Sequence, residues 1–240
     1  RIAKRIAQSG YCSRREAETL IKNGKVKLNG AKILKCNVNV SSNDIIHINE
    51  KLIIKKNRIR IWLYHKKKGF LVTNKDNMGR PNIFDEIKQK VKCRTISVGR
   101  LDFNSEGLIL LTNNGNLARQ LELPKNNIER TYKVRFYGNL DYKITQTLQK
   151  GISINGQKYK PIKVEMNEQK NKNVWAKLTL KEGKNREIRK IMAYFGCTVN
   201  RLIRISFGSF VLKDLKPGEI NELKADTINK ILDKMNIKCE

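Results

Sequence analysis

Acidic residues are scarce in this 240-residue chain. Asp and Glu number 22 against 51 Lys and Arg, a formal net charge of +29 and a pI near 10.1. Such an imbalance calls for a polyanionic partner, nucleic acid above all. A membrane surface would attract the same charge. However, no apolar stretch approaches the roughly 18 residues of a spanning helix, and no basic helical segment carries the broad apolar face of an interfacial helix. Cysteine is sparse and dispersed. Cys12, Cys36, Cys93, Cys197 and Cys239 form no Cys-x-x-Cys pair, and only His47 and His65 could join them as ligands, so neither a disulfide framework nor a zinc site is expected. An odd number of thiols without a secretory leader fits a reducing, cytoplasmic setting. Also missing are a G-x-G-x-x-G fingerprint and a phosphate-binding loop, which removes the commonest sequence grounds for NAD, S-adenosylmethionine or nucleoside triphosphate use. The expectation is a monomeric protein that needs neither metal nor organic cofactor.

The length accommodates a small domain followed by a medium one. Near the start, Ile2, Ala3, Ile6 and Ala7 recur at helical spacing until Ser9-Gly10 ends the run. Ser13-Arg14-Arg15-Glu16 is a capping-box sequence opening a second helix, whose apolar face is Ala17, Leu20 and Ile21 and whose stop is Asn23-Gly24. Val26 and Leu28 alternate with lysines up to Asn29-Gly30, a strong hairpin signal, and residues 44–48 read as a further strand. A polar, Lys-rich connector at 51–57 separates this unit, residues 1–50, from residues 58–240. Beyond it, strands are predicted at 59–64, 70–73, 95–98, 108–111, 131–137, 159–166, 174–180 and 202–207, with helices at 141–150, 186–195 and 226–235. Strand runs interrupted by single helices, without strict βαβ alternation, predict an α+β fold.

Residues 98–115, VGRLDFNSEGLILLTNNG, hold the chemical candidate. Two short apolar runs flank a turn-rich loop, which presents Arg100 and Asp102 together. An acidic loop residue beside an arginine is ordinarily a solvated turn former. The surrounding words point elsewhere: GRLD followed by SEGLILLTNNG resembles the active-site motif of the rRNA pseudouridine synthases that carry an N-terminal S4 domain. SRREAETLIKNGKVKLNG, residues 13–30, resembles the S4 (αL-type) RNA-binding domain itself. Further segments match that family in order: YHKKKGFLVTNKDNMGRPNIFD at 64–85, RTYKVRF at 130–136, KEGKNREIRKIMAYFG at 181–196 and LIRISFGSFVLKDLKPGE at 202–219. The resemblance thus spans essentially the whole chain.

The resemblance implies a mixed, mainly antiparallel catalytic domain after the S4 unit, with Asp102, Tyr132 and Arg189 as catalytic residues. It implies ribosomal RNA contacts from Arg14, Arg15, Lys22 and Lys25. Arg14 and Arg15 do little for their own helix, since cations at a helix start oppose its dipole. In this reading Arg100 fills the gap left by an extruded base, Arg186 adds an RNA contact and Leu212 packs on the flipped uracil. The reaction breaks the N1–C1′ bond, turns the uracil and rejoins it through C5, and a carboxylate suffices for that, as nucleophile or as base. Arg189 is expected to hold Asp102 ionised and oriented by direct contact, and Tyr132 to stack on the base and move a proton. Residues 79–87, GRPNIFDEI, look nearer to the large-subunit members than to the small-subunit (16S) member. Two rivals share the charge and the first domain: a non-catalytic S4 protein of ribosome assembly, which needs no ordered Asp, Tyr, Arg set, and an S4-containing methyltransferase, which the absent glycine-rich loop disfavours.

Overall fold

The computed structural model describes residues 1–54, 58–74, 76–166 and 173–237. The last three connector residues, 55–57, and Cys239 lie outside them.

The N-terminal unit comprises α1 (Ile2–Gln8), α2 (Arg14–Lys22), β1 (Val26–Leu28), β2 (Ala31–Ile33), β3 (Ile46–Ile48) and β4 (Lys51–Leu52). Its strands form one antiparallel sheet in the order β2-β1-β3-β4. The capping box closes as predicted: Glu16 N donates to Ser13 Oγ at 3.1 Å and Ser13 N donates to Glu16 Oε2 at 2.8 Å. At the hairpin, Asn29 and Gly30 both take positive φ, 49° and 85°, the geometry a two-residue primed turn requires. Ile2, Ile6, Ala17, Ile21, Val26, Ile46 and Ile48 bury between helices and sheet. One boundary shifts. Lys51 and Leu52, expected in the connector, pair with β3 and extend the first sheet.

The rest of the chain contributes β5 (Ile61–Lys66), α3 (Ile83–Lys90), β6 (Ile96–Val98), β7 (Glu106–Thr112), α4 (Gly115–Glu122), β8 (Arg130–Tyr137), α5 (Tyr142–Lys150), β9 (Ile152–Ile154), β10 (Gln157–Tyr159), β11 (Ile162–Met166), β12 (Asn173–Leu180), α6 (Glu187–Tyr194), β13 (Thr198–Phe207), β14 (Phe210–Val211), β15 (Ile220–Glu222) and α7 (Ala225–Lys234). The main sheet runs β11-β12-β8-β13-β7-β5-β15, with β6 on β7 and β14 on β13. Among the described residues only β13 and β7 pair in parallel within it, so the α+β expectation stands. Alternation along the strands splits the core between two faces. Trp62, Tyr64, Ile109, Leu111, Val134 and Phe136 point to one face, which α3, α5 and α6 cover. Ile61, Leu63, Leu108 and Leu110 point to the other, which α4 and α7 cover.

Where the chain departs from the sequence expectation, local chemistry supplies the reason. The strand expected at 70–73 is reduced to one bridge, Leu71 to Asn82. The run expected at 159–166 breaks at Pro161, which lacks a ladder donor, and its halves join different sheets. Helices α3 and α4 were not anticipated. Each opens on an asparagine whose side-chain oxygen accepts two backbone N–H groups, Asn82 from Phe84 and Asp85, and Asn114 from Asn116 and Leu117. Gly107, with φ of 103°, lets β13 approach: a Cβ there would lie 2.3 Å from the Arg204 carbonyl oxygen.

Candidate active site

Residues 99–105 form the loop between β6 and β7, which pair with each other and so fix its two ends. Ser105 N donates to Asp102 O at 3.0 Å and closes a turn. The three carbonyls after Asp102 are then taken by two cations. Lys66, at the end of β5 and fully buried, donates from Nζ to Ser105 O at 2.7 Å, to Phe103 O at 3.3 Å and to its neighbour Lys67 O at 2.9 Å. Arg189, from α6, donates from Nη2 to Asn104 O at 3.0 Å and from Nη1 to Val199 O at 2.9 Å. Gly69 N adds a bond to Phe103 O at 2.8 Å. The Asp102 loop is therefore held by its backbone, and its carboxylate is half-buried.

That carboxylate borders a cleft of about 930 Å³, whose lining includes Arg100, Asp102, Tyr132, Arg186, Arg130 and Arg204. Tyr132 sits at mid-strand on β8, buried, in register with Leu178 on β12 and Arg204 on β13. Arg100 and Arg186 are exposed. Arg186 takes a left-handed conformation, φ 51°, as the residue before α6, a backbone state that a bulky side chain adopts only under local constraint. Two further carboxylates in the lining, Glu182 and Glu187, are buried.

The charges around the loop influence one another. Burial pushes the Lys66 ammonium down to about 8, with Asp102 and Glu106 pulling in the opposite direction. Burial also lowers Arg189, as does neighbouring Arg186, while Asp102 opposes both. Burial lowers Arg130 too, Tyr132 opposing and Arg204 adding to the shift. Its guanidinium and that of Arg204 both lie over the Phe207 ring, 4.9 and 5.3 Å from the centroid.

Two expected placements are corrected. Arg189 forms no ion pair with Asp102 within 4.0 Å; its fork is committed to two carbonyls and its Nε is buried without a partner. It acts on Asp102 through the loop backbone and at longer electrostatic range. Leu212 is not on the cleft. It is buried with Phe207 and Phe210 in the second core, its N–H donating to Ile205 O. Arg14, Arg15, Lys22 and Lys25 are all exposed on the first unit. Sequence reasoning missed Lys66, Arg130, Arg204, Glu182 and Glu187. The one available signal was a lysine ending a strand that is otherwise apolar or aromatic enough to be buried at every position, which β5 is. Among the described residues no group of His, Cys, Asp and Glu converges to hold a metal ion, and no helix is long and apolar enough to cross a membrane.

A family model described as RNA pseudouridylate synthase matches residues 60–194, and the S4 domain model matches residues 1–46. The chain belongs to the RNA pseudouridylate synthase family. A relative from Rickettsia felis, named as an uncharacterised RNA pseudouridine synthase, is 45% identical over 98% of this chain and 99% of its own. The ribosomal large subunit pseudouridine synthase B of Buchnera aphidicola subsp. Acyrthosiphon pisum is 38% identical over 99% of this chain and 98% of its own. Among solved structures, a pseudouridylate synthase superposes with a TM-score of 0.67 at 27% identity, over 96% of this chain and 99% of that one. The synthase match contains Asp102, Tyr132 and Arg189, so the family assignment rests on the same segment that builds the pinned loop and its cleft. The S4 match carries the four exposed basic residues, and RNA is the substrate class that both halves imply.

Proposed function

We propose that this chain isomerises uridine to pseudouridine in ribosomal RNA, with the large subunit RNA as its target. The observation carrying the reading is Asp102 itself: a single carboxylate on a loop whose next three carbonyls are tied down, at the edge of a cleft that also presents Tyr132. Holding a reactive group by its backbone rather than by its side chain leaves its oxygens for substrate, and positioning of this kind is a large share of what an enzyme contributes. The reaction is balanced within the nucleotide. The N1–C1′ bond breaks, a C5–C1′ bond forms, C5 loses a proton and N1 gains one, so no co-reactant is consumed. Asp102 begins it, as nucleophile or as base, and Tyr132 supports the detached uracil and serves the proton transfer. A base stacked in a helix is beyond reach of the carboxylate, so it is extruded into the cleft at a cost of a few kcal/mol. Exposed Arg100, two residues before Asp102 on the same loop, fills the gap. Arg14, Arg15, Lys22, Lys25 and Arg186 supply phosphate contacts and hence salt-dependent affinity. The large-subunit preference is supported by the likeness to the Buchnera enzymes named for that subunit.

The test is pseudouridine formation on large-subunit and small-subunit rRNA by wild type and Asp102→Asn, a change that keeps volume and removes charge. The wild type should modify the large-subunit RNA, and the variant should lose at least about 1000-fold in rate, roughly 4 kcal/mol of barrier, with unchanged RNA affinity. RNA binding without product from the wild type would turn the chain into a binder of rRNA; product confined to small-subunit RNA would move the target.

A further inference from the structure

Behind the cleft, the loop at 181–187 is closed by two buried carboxylates, Glu182 at 7% and Glu187 at 4% exposure. Three of their four oxygens have donors. Lys160 N donates to Glu182 Oε1 at 2.7 Å, the Lys184 ammonium lies 2.8 Å from Glu182 Oε2, and Lys184 N donates to Glu187 Oε2 at 2.9 Å. Glu187 N returns a bond to Lys184 O at 3.2 Å. The fourth oxygen, Glu187 Oε1, is buried and has no donor, and Lys184 ties the two carboxyl groups together, its amide donating to Glu187 and its ammonium pairing with Glu182. A buried carboxylate oxygen with no donor is costly; a carboxylic acid in the same place is not, because its own O–H can bond to the neighbouring carboxylate.

We propose that Glu187 is a positioning residue that works in its acid form, donating its proton to ionised Glu182 and so clasping the loop that presents Lys184, Asn185 and Arg186 to the cleft. Arg186 is the left-handed residue leading into α6, and three residues on Arg189 anchors the Asp102 loop. The clasp thus sits one turn from the hold on Asp102. The charges facing it agree with one neutral and one ionised member. Lys184 and the Lys160 amide serve Glu182, whose pKa is lowered. Burial, with Glu182 adding to it, raises Glu187 to about 7, opposed by Lys184, while Arg130 on β8 acts from longer range.

The proposal rests on the pseudouridine reading only for its effect on rate, so its primary test needs no RNA. Because the folded chain keeps the Glu187 proton to higher pH than the unfolded chain, folding should weaken as pH rises, by about tenfold in the folding constant for each pH unit between 4.5 and about 7. Glu187→Gln replaces the O–H by an amide N–H that donates at any pH. The difference between Glu187→Gln and wild type in urea midpoint should therefore widen, in favour of the variant, from pH 5 to pH 7.5. Single-turnover pseudouridine formation should show the same trend, wild type falling relative to Glu187→Gln above pH 7 while Glu187→Ala is impaired throughout. A carbon-13 carboxyl titration of wild type should find one glutamate titrating near 7, a measurement that stands even if a variant fails to fold. Parallel stability profiles for wild type and Glu187→Gln, or no carboxyl titrating above pH 6, would overturn the clasp. A flattened Glu187→Gln stability profile in a protein that makes no pseudouridine would retain the clasp and sink the activity.

Discussion

Replacing Lys66 by methionine keeps the length of a fully buried side chain and removes its charge and all its donors. Three carbonyl oxygens lose a partner, and they lose unequally. Phe103 O had the longest bond, 3.3 Å, and retains Gly69 N, whereas Lys67 O and Ser105 O had bonds of 2.9 and 2.7 Å. At about 1–3 kcal/mol for each buried acceptor left bare, the two well-bonded carbonyls cost roughly 2–6 kcal/mol. Against this stands relief from burying a charge. The ammonium is pushed from 10.5 down to about 8, and at 1.36 kcal/mol per pH unit that is about 3 kcal/mol the variant no longer bears. The opposing quantities nearly match, so global stability at pH 7 should change by no more than about 3 kcal/mol in either direction. The rate has no such compensation. Freeing the carbonyls on both sides of residue 104 lets the Asp102 loop shift, and a displacement of about 1 Å costs on the order of 100-fold. Single-turnover pseudouridine formation at saturating RNA should fall by at least tenfold, with affinity for RNA little altered. A second signature follows from linkage: between pH 8 and 10.5 the unfolded chain holds the Lys66 proton and the folded chain does not, so wild-type stability rises with pH in that window. Urea denaturation should show wild type gaining on Lys66→Met by about 1.4 kcal/mol per pH unit there. A rate within twofold of wild type, or a stability difference independent of pH from 8 to 10.5, would refute the anchoring role.

Arg189→Ala should nearly abolish turnover, and Arg189→Lys should lose at least tenfold, because a single ammonium cannot span Val199 O and Asn104 O as the fork does; full activity of the Lys variant in the same single-turnover assay would reduce Arg189 to a point charge. Deleting residues 1–54, so that β4 leaves with its own sheet, should weaken rRNA binding and flatten the log–log salt dependence by about 0.7–0.9 for each phosphate that is no longer neutralised. The truncated chain should still modify a short target RNA at saturation, and unchanged affinity and slope would remove RNA binding from the first unit.

Much of this architecture was readable from local signals, because those signals act over a few residues. The Ser13 box, the Asn29-Gly30 turn and the alternation along β8 and β12 behave as their sequences dictate. The segments that misled were those in which one residue type serves two grammars. Asn113-Asn114-Gly115 reads as a strand-ending turn, yet Asn114 caps α4; Asn82 does the same for α3 within a stretch rich in turn formers. Leu212 failed for a different reason: a leucine after a hairpin satisfies a base-packing role and a core role equally well in sequence, and only the strand pairing that sends it toward Phe210 separates them.

The site itself shows where one-dimensional reading stops. Asp102 announced itself because its neighbours in the chain form its loop. Lys66, Arg189 and Glu187 act on the site through backbone carbonyls, a carboxyl partner and an adjoining loop contributed from 5 to 85 positions away. In a chain carrying 51 basic residues, a lysine that anchors the Asp102 loop is indistinguishable by composition from one that meets solvent or phosphate. What distinguishes it is burial without a carboxylate partner, since a cation is kept at zero exposure only where something repays its desolvation. In Lys66 the repayment is three carbonyls, two of them flanking the residue that Arg189 holds, so cations from a strand and a helix distant in sequence converge on the backbone of a single turn. On the proposed reading, the rigidity of that turn, more than any contact to the Asp102 carboxylate, is what readies the residue, as nucleophile or as base, for a nucleotide brought into the cleft.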